Sequence, residues 1–408
     1  MARKMLRNGW FWCTIVIIFS SVFSSSEAQT RFGIEQSVVY DENVFRNYLE
    51  IADVITQTTA FFSHQIPIKS SQLQFHYAGN LNAFNDFNER LFHTHDLGTS
   101  AIAPIYKSLT LQAGMQFQLR KNLPEYDIYD AATWLLKTSL SLTPWQNVHF
   151  QTGYSFKEKR FQNLEQFNFA EQSASFLARI GLPTRTTIFA QVNFGLKNYL
   201  EDQTGETMII TDRVLPHQGM GPGRRHGDAP IVSDTAIVAN HLSIPETHQW
   251  SLDVKIAQSI FKTTGVSIGY LRRFSPSQDT RYLSGQGYAY SKDDELFDDP
   301  FTYASHEWYA TVTQILPHNF ALAFQVSSAD KNYTYPTQTD SVSLAQDYEN
   351  RSDSQVYLGG SLEKKFALRR FVRGLTINFS YFYLINESND FYYDSRGSLI
   401  SVGSSIKF

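Results

Sequence analysis

Six cations, Arg120, Lys137, Lys157, Arg179, Lys197 and Lys255, with the carboxylate Asp253 among them, lie in segments where polar and apolar side chains alternate. Side chains of a strand point alternately to two faces, so the alternation puts each of these groups on the polar face of an amphipathic strand. Gathered around a shared aqueous space, such a set makes a positive field that favours anions. Paired with loop carboxylates, the same groups would instead fill that space, and both arrangements fit the pattern.

Other residues capable of chemistry are grouped more loosely. The stretch 198–246 carries Gly219, Gly221, Gly223, Arg224, Arg225, His226, Gly227 and Asp228. A Walker phosphate loop needs Gly followed by Lys and Ser or Thr at the mouth of a helix, and neither follows here. The expectation is a loop that either folds inward as a constriction, with Arg224, Arg225, His226 and Asp228 facing the interior, or stays outside. His217, His226, His241 and His248, with Asp228, Ser233 and Asp234 nearby, supply the inventory of a hydrolase at the rim, but their spacing fixes no mutual geometry. His93 and His95 share a strand face, yet two ligands fall short of the three or four of a transition-metal site. The acidic run Asp293, Asp294, Glu295, Asp298 and Asp299 lacks the oxygen spacing and central Gly of a calcium loop. No catalytic residue, metal or cofactor is expected.

The elements that must position these groups are strands. Between 109 and 120, Leu109, Leu111, Ala113, Met115, Phe117 and Leu119 fall on one face, and Thr110, Gln112, Gly114, Gln116, Gln118 and Arg120 fall on the other. Segments around Phe150, Val192, Val254 and Phe379 repeat the split, with Gly114, Gly153, Gly195, Gly269 and Gly403 mostly on the polar side. Aromatic residues make up 15% of the chain and charged residues only 18%. After the first 28 residues no apolar stretch reaches the length of a membrane helix, which excludes a helical membrane protein. A closed barrel is the strand structure that satisfies every backbone group in lipid.

Connections alternate in length. Short turns are expected near 65–70, 104–107, 143–147, 181–185, 259–264, 315–319 and 365–373, and longer polar loops near 43–51, 80–90, 121–130, 158–166, 198–246, 275–302, 329–353 and 386–395. That order predicts an all-β, transmembrane, antiparallel up-and-down β-barrel of about sixteen strands of about 10 residues, a count from fourteen to eighteen fitting the same pattern. Both termini then lie on the side of the short turns, the periplasmic side in an outer membrane. Trp134, Trp145, Trp250, Trp308 and Tyr383 are candidates for interfacial girdles.

At the amino end, Arg3, Lys4 and Arg7 precede an apolar run from Trp10 to Phe23 and the small-residue exit Ser26-Glu27-Ala28, the layout of a secretory signal peptide over 1–28, leaving 29–408 as one barrel. The one cysteine, Cys13, lies in that leader, so no disulfide or lipid anchor is expected. The formal charge is −4, and losing three cations and one carboxylate with the leader makes it more acidic, which gives no footprint for nucleic acid.

At the carboxyl end, Ser401, Gly403, Ile406 and Phe408 resemble the terminal signal read by the bacterial barrel-assembly machinery. Tyr40-Asp41-Glu42-Asn43-Val44-Phe45-Arg46 with Asp53 resembles the first hairpin of the outer-membrane β-barrel porins of Gram-negative bacteria. Glu387-Ser388-Asn389-Asp390, Tyr393, Asp394 and Arg396 resemble the closing hairpin of the same group and of barrels that help display surface lipoproteins. The helical repeat domain that precedes some of the latter is not seen here. The resemblance implies a porin-like outer-membrane barrel of a Gram-negative bacterium; with the inward cations the expectation is a channel for small hydrophilic, anion-leaning solutes, or alternatively a structural or export-partner barrel in an envelope complex. A rim hydrolase is the third reading. The implied partners are membrane lipid, lipopolysaccharide bridged to the acidic loop by divalent ions, the assembly machinery, and either further copies of the chain or an envelope complex.

Overall fold

The computed structural model describes residues 29–201, 209–213, 233–237, 246–275, 296, 298–336, 349–368 and 374–408. In chain order the strands are β1 (Gln29–Asp41), β2 (Asp53–Ile68), β3 (Ser71–Phe84), β4 (Phe92–Tyr106), β5 (Leu109–Asn122), β6 (Ala131–Trp145), β7 (Val148–Phe161), β8 (Phe169–Gly181) and β9 (Thr186–Tyr199). There follow β10 (Ile209–Arg213), β11 (Ser233–Ile237), β12 (Glu246–Ser259), β13 (Thr264–Phe274), β14 (Tyr303–Leu316), β15 (Phe320–Pro336), β16 (Asn350–Phe366), β17 (Gly374–Ser388) and β18 (Ser395–Lys407). Each barrel strand pairs antiparallel with its chain neighbours, β9 pairs with β12, and β1 pairs with β18. The result is a closed sixteen-strand barrel, with β10 and β11 as a separate hairpin inside the longest connection.

The alternation explains the closure. Paired residues share a face, so the register carries one face assignment around the whole barrel. It can be followed from Gly114 to Lys137, then Ser155, Ser173, Gly195 and Gln249. Outward positions hold exposed apolar side chains such as Ile34, Leu97, Phe176, Ile256 and Phe379, and the residues of that register row turn inward. With no free edge left, every barrel strand finds hydrogen-bond partners on both sides. The seam between β1 and β18 runs from Gly33 opposite Lys407 to Asp41 opposite Leu399. It is finished by Phe408, whose N–H donates to the Phe32 carbonyl at 2.9 Å and whose ring stacks on Phe32 at 4.8 Å.

Turns and loops fall at the expected ends, and both described termini lie at the turn end. The β14–β15 reversal is made by His318 and Asn319, with φ of 61° and 62°, a left-handed pair that suits the twist of a hairpin. Strand length departs from expectation. The barrel strands run 11 to 17 residues rather than about 10, and 80–84, 158–161, 329–336 and 386–388 are strand where loops were expected. Those polar segments remain strand because loops fold back and cover their inner face, a long-range effect that local polarity does not carry.

The described girdle candidates Trp134, Trp145, Trp250, Trp308 and Tyr383 all face outward. Near the loop end three pairs repeat one geometry: Phe117 with Trp134, Phe194 with Trp250, and Tyr270 with Trp308, each with centroids 4.6 Å apart. Near the turn end Trp145, Tyr106 and Phe261 stand exposed. Two aromatic belts with an apolar band between them are what a membrane-spanning barrel presents to lipid.

Candidate functional site

The interior divides by height. At the loop end, short connections fold into the barrel and pack there. Val44 and Phe45 from the β1–β2 loop, Phe87, Tyr126 and Tyr129, and Leu164 and Phe167 meet the inward residues Ile55, Phe84, Phe92, Phe161, Phe169 and Tyr199 in one buried cluster that also takes in Leu296. Side-chain carboxylates and amides tie the loops down: Asp53 accepts from the N–H groups of Asn85 and Asp86, Asp130 from that of Asn122, and Asn168 from that of Phe161. Each satisfies a backbone donor that would otherwise be orphaned where strand becomes loop.

Cations are built into this collar. Arg120 lies 4.3 Å from the Phe92 ring and donates to Asn122. Arg90 lies 4.3 Å from Phe45 and 4.8 Å from Tyr126. Lys197, 1% exposed, pairs with Asp299 and sits 4.0 Å from the Phe169 ring. Lys331 reaches Asp298 at 2.7 Å, and Arg351 pairs with Asp353 beside the rings of Tyr333 and Tyr393. Gly195 permits the described segment 298–302 to dock, because a Cβ there would come within 2.8 Å of the Phe301 ring. Burial pushes the Asp298 carboxyl up, but the Lys331 ammonium, the Arg351 guanidinium and hydrogen bonds from Lys331 and Tyr333 outweigh it and hold that carboxyl below its ordinary range.

Below the collar the wall opens. Lys137 and Arg179 are exposed to the lumen, and among the described residues neither is paired with a carboxylate. Around Lys137 the side chains are small and polar: Ser100, Gly114, Ser139, Gly153, Ser155 and Ser173 help to line a cavity of 560 Å³. Arg179 and Lys255 flank Phe189 in one register row, with Lys255 4.7 Å from its ring.

All seven strand residues singled out in the sequence therefore face inward, but at two heights. Arg120 and Lys197 belong to the collar and Lys157 lies close beneath it, 3.8 Å from Glu171. Lys137, Arg179 and Lys255 line the open part. Asp253 accepts from Tyr309 at 2.6 Å and is not alone, since Asp96, Glu171, Glu307 and Asp353 also point inward. Arg224, Arg225, His226 and Asp228 lie outside the described residues, as do His217, His241, Asp293, Asp294, Glu295 and the leader 1–28. His93 and His95 face outward near the loop end, 3.1 Å apart, with Tyr77 bonded to His95. His248 also faces outward, near Glu246 and Phe194. At the terminal signal, Ile406 and Phe408 face out, whereas Gly403 faces in against Asn378.

Reasoning from sequence missed the collar. Its signal is a cation two residues before an aromatic at the loop end of strands, Lys159-Arg160-Phe161, Lys197-Asn198-Tyr199 and Lys331-Asn332-Tyr333, which puts both on the inner face.

No family model and no curated protein matches the chain. Among solved structures, Pseudomonas aeruginosa OccD3 (OpdP) is similar with TM-score 0.48 and 11% identity over 93% of this chain and 91% of its own. Pseudomonas aeruginosa OpdK with vanillate gives 0.48 and 9% over 94% and 99%. Acinetobacter baumannii OccAB1 gives 0.49 and 9% over 94% and 97%. At these values nothing about the solute of the present barrel rests on them.

Proposed function

We propose that the chain is a porin-like channel of a bacterial outer membrane, passing small hydrophilic solutes passively and favouring anions, with both termini periplasmic. The observation that carries this reading is the open wall around Lys137, where small polar side chains line a cavity and the cation is without a carboxylate partner among the described residues. A barrel of sixteen strands is wide enough to leave an aqueous channel, and fixed cations without counter-charges bias it toward anions. The channel does no covalent chemistry, and the segment holding Arg224, Arg225, His226 and Asp228 remains its candidate constriction. Short turns opposite long loops support the orientation.

The test is conductance in planar bilayers. Folded protein should give stepwise currents, and the reversal potential in a salt gradient should report anion selectivity; folded protein without steps would sink the reading. The packed collar favours one alternative, a plugged structural or export-partner barrel, which predicts co-purification with an envelope complex in mild detergent and no current.

A further inference from the structure

We infer that the wall formed by β2 to β8 is a binding track for uncharged polyhydroxylated solutes, short saccharides, rather than for the small anions that the field alone would select. This rests on the channel reading above and names its substrate class. The upper part of the track is a 200 Å³ recess under the collar whose neutral groups include Gln57, Thr59, Asn80, Asn82, Thr94 and Gln118. The lower part is the 560 Å³ cavity, reached by stepping two residues down β5 from Gln118 to Gln116. Together they hold a short chain of sugar units more readily than a single ion.

The hydrogen bonds within the recess show what is left for a ligand. Thr59 donates to the Asn80 oxygen at 2.6 Å, and the Asn80 amide donates to Thr94 at 3.0 Å. Ser37 donates to Gln57, whose amide donates to Asn82 at 3.1 Å. A side-chain amide has two N–H donors and an oxygen with two lone pairs. Asn80 therefore keeps one donor and one acceptor after both contacts, and its orientation is already fixed. The charges of the recess are engaged differently. Asp96 accepts from Gln116 at 3.0 Å and Gln118 at 2.7 Å, Arg120 donates to Asn122, and Lys159 lies 4.8 Å from the Phe161 ring. What the recess has left over is a row of neutral donors and acceptors, and vicinal hydroxyls offer the same alternation; in the lower cavity Lys137, the cation without a carboxylate partner among the described residues, donates to a hydroxyl as well as to an anion. Strands about 4.8 Å apart repeat that row at roughly the width of a pyranose ring.

Maltose, glucuronate and sodium chloride are the probes, used on folded full-length barrel. In bilayers maltose should interrupt the ion current reversibly, and calorimetry on detergent-solubilised barrel should show it binding more tightly than glucuronate. Asn80→Ala combined with Thr94→Val should weaken maltose binding about tenfold, the loss of two neutral hydrogen bonds. Thr59→Val, which removes one hydroxyl and little volume, is the second variant, and heat-modifiable migration verifies that each has folded. Conducting channels that maltose neither blocks nor binds would overturn the track and leave the channel standing. Tighter binding of glucuronate, or maltose binding indifferent to both changes, would overturn it as well. Maltose binding without conductance would keep the track and refute the channel.

Discussion

Lys197 and Lys137 stand on the same inner wall, yet one is 1% exposed against Asp299 and three aromatic rings while the other faces the lumen among serines and glycines. The collar spends its charges on holding loops inside the barrel, and in the channel proposed above the open wall leaves them to act on what passes. The difference teaches that an inward cation in this barrel is not by itself a pore residue. Its height decides whether it stabilises or selects.

The sharpest way to break that distinction is to remove the buried cation. Lys197→Met strands the Asp299 carboxylate in a dry site and should cost about 3–5 kcal/mol, read as a fall in the unfolding midpoint in urea. Adding Asp299→Asn should recover most of it. Lys137→Met should stay within about 0.5 kcal/mol of the unchanged protein. Equal costs at the two lysines would abolish the comparison. Next in size is Phe167→Ala, which empties part of the buried cluster and should cost about 3 kcal/mol, loosening the mouth enough to raise susceptibility to proteases at the loop end.

How much of this the amino-acid order discloses follows the same division. The alternation at 109–120 is local, so the face of Arg120 can be read from its neighbours, and the alternating turns and loops give sixteen strands because each is marked by its own prolines and polar residues. The fate of Lys197 is not local. Its partner lies about a hundred residues on, in a loop whose inward path depends on Gly195 making room for Phe301. Strand length is not local for the same reason: Lys159 and Lys331 look like loop residues until the aromatic two positions further on, and the loops that cover them, are taken into account.

The open half is sharpened by charge rather than by stability. Lys137→Glu with Arg179→Glu should leave the unfolding midpoint nearly unchanged and move the reversal potential toward cation selectivity, because two cations of the lumen become carboxylates. Lys331→Gln should do the opposite, disturbing stability while barely moving selectivity. If the double variant and Lys331→Gln alter selectivity alike, height does not separate the two roles.

The smallest expected effect concerns acidity at the collar. The Asp298 carboxyl is held below its ordinary range in the folded protein by Lys331 and Arg351 against the opposing pull of burial. A group whose folded value is depressed contributes stability that is fully present above its unfolded value and is lost as pH falls through the folded one. Asp298 is also 39% exposed, so solvent screening keeps its share small. The unfolding midpoint should therefore be flat from neutral pH down to the ordinary carboxylate range and decline only below it. Asp298→Asn should flatten part of that decline. A decline that begins near neutral pH would show that a group other than Asp298 sets the acid limit.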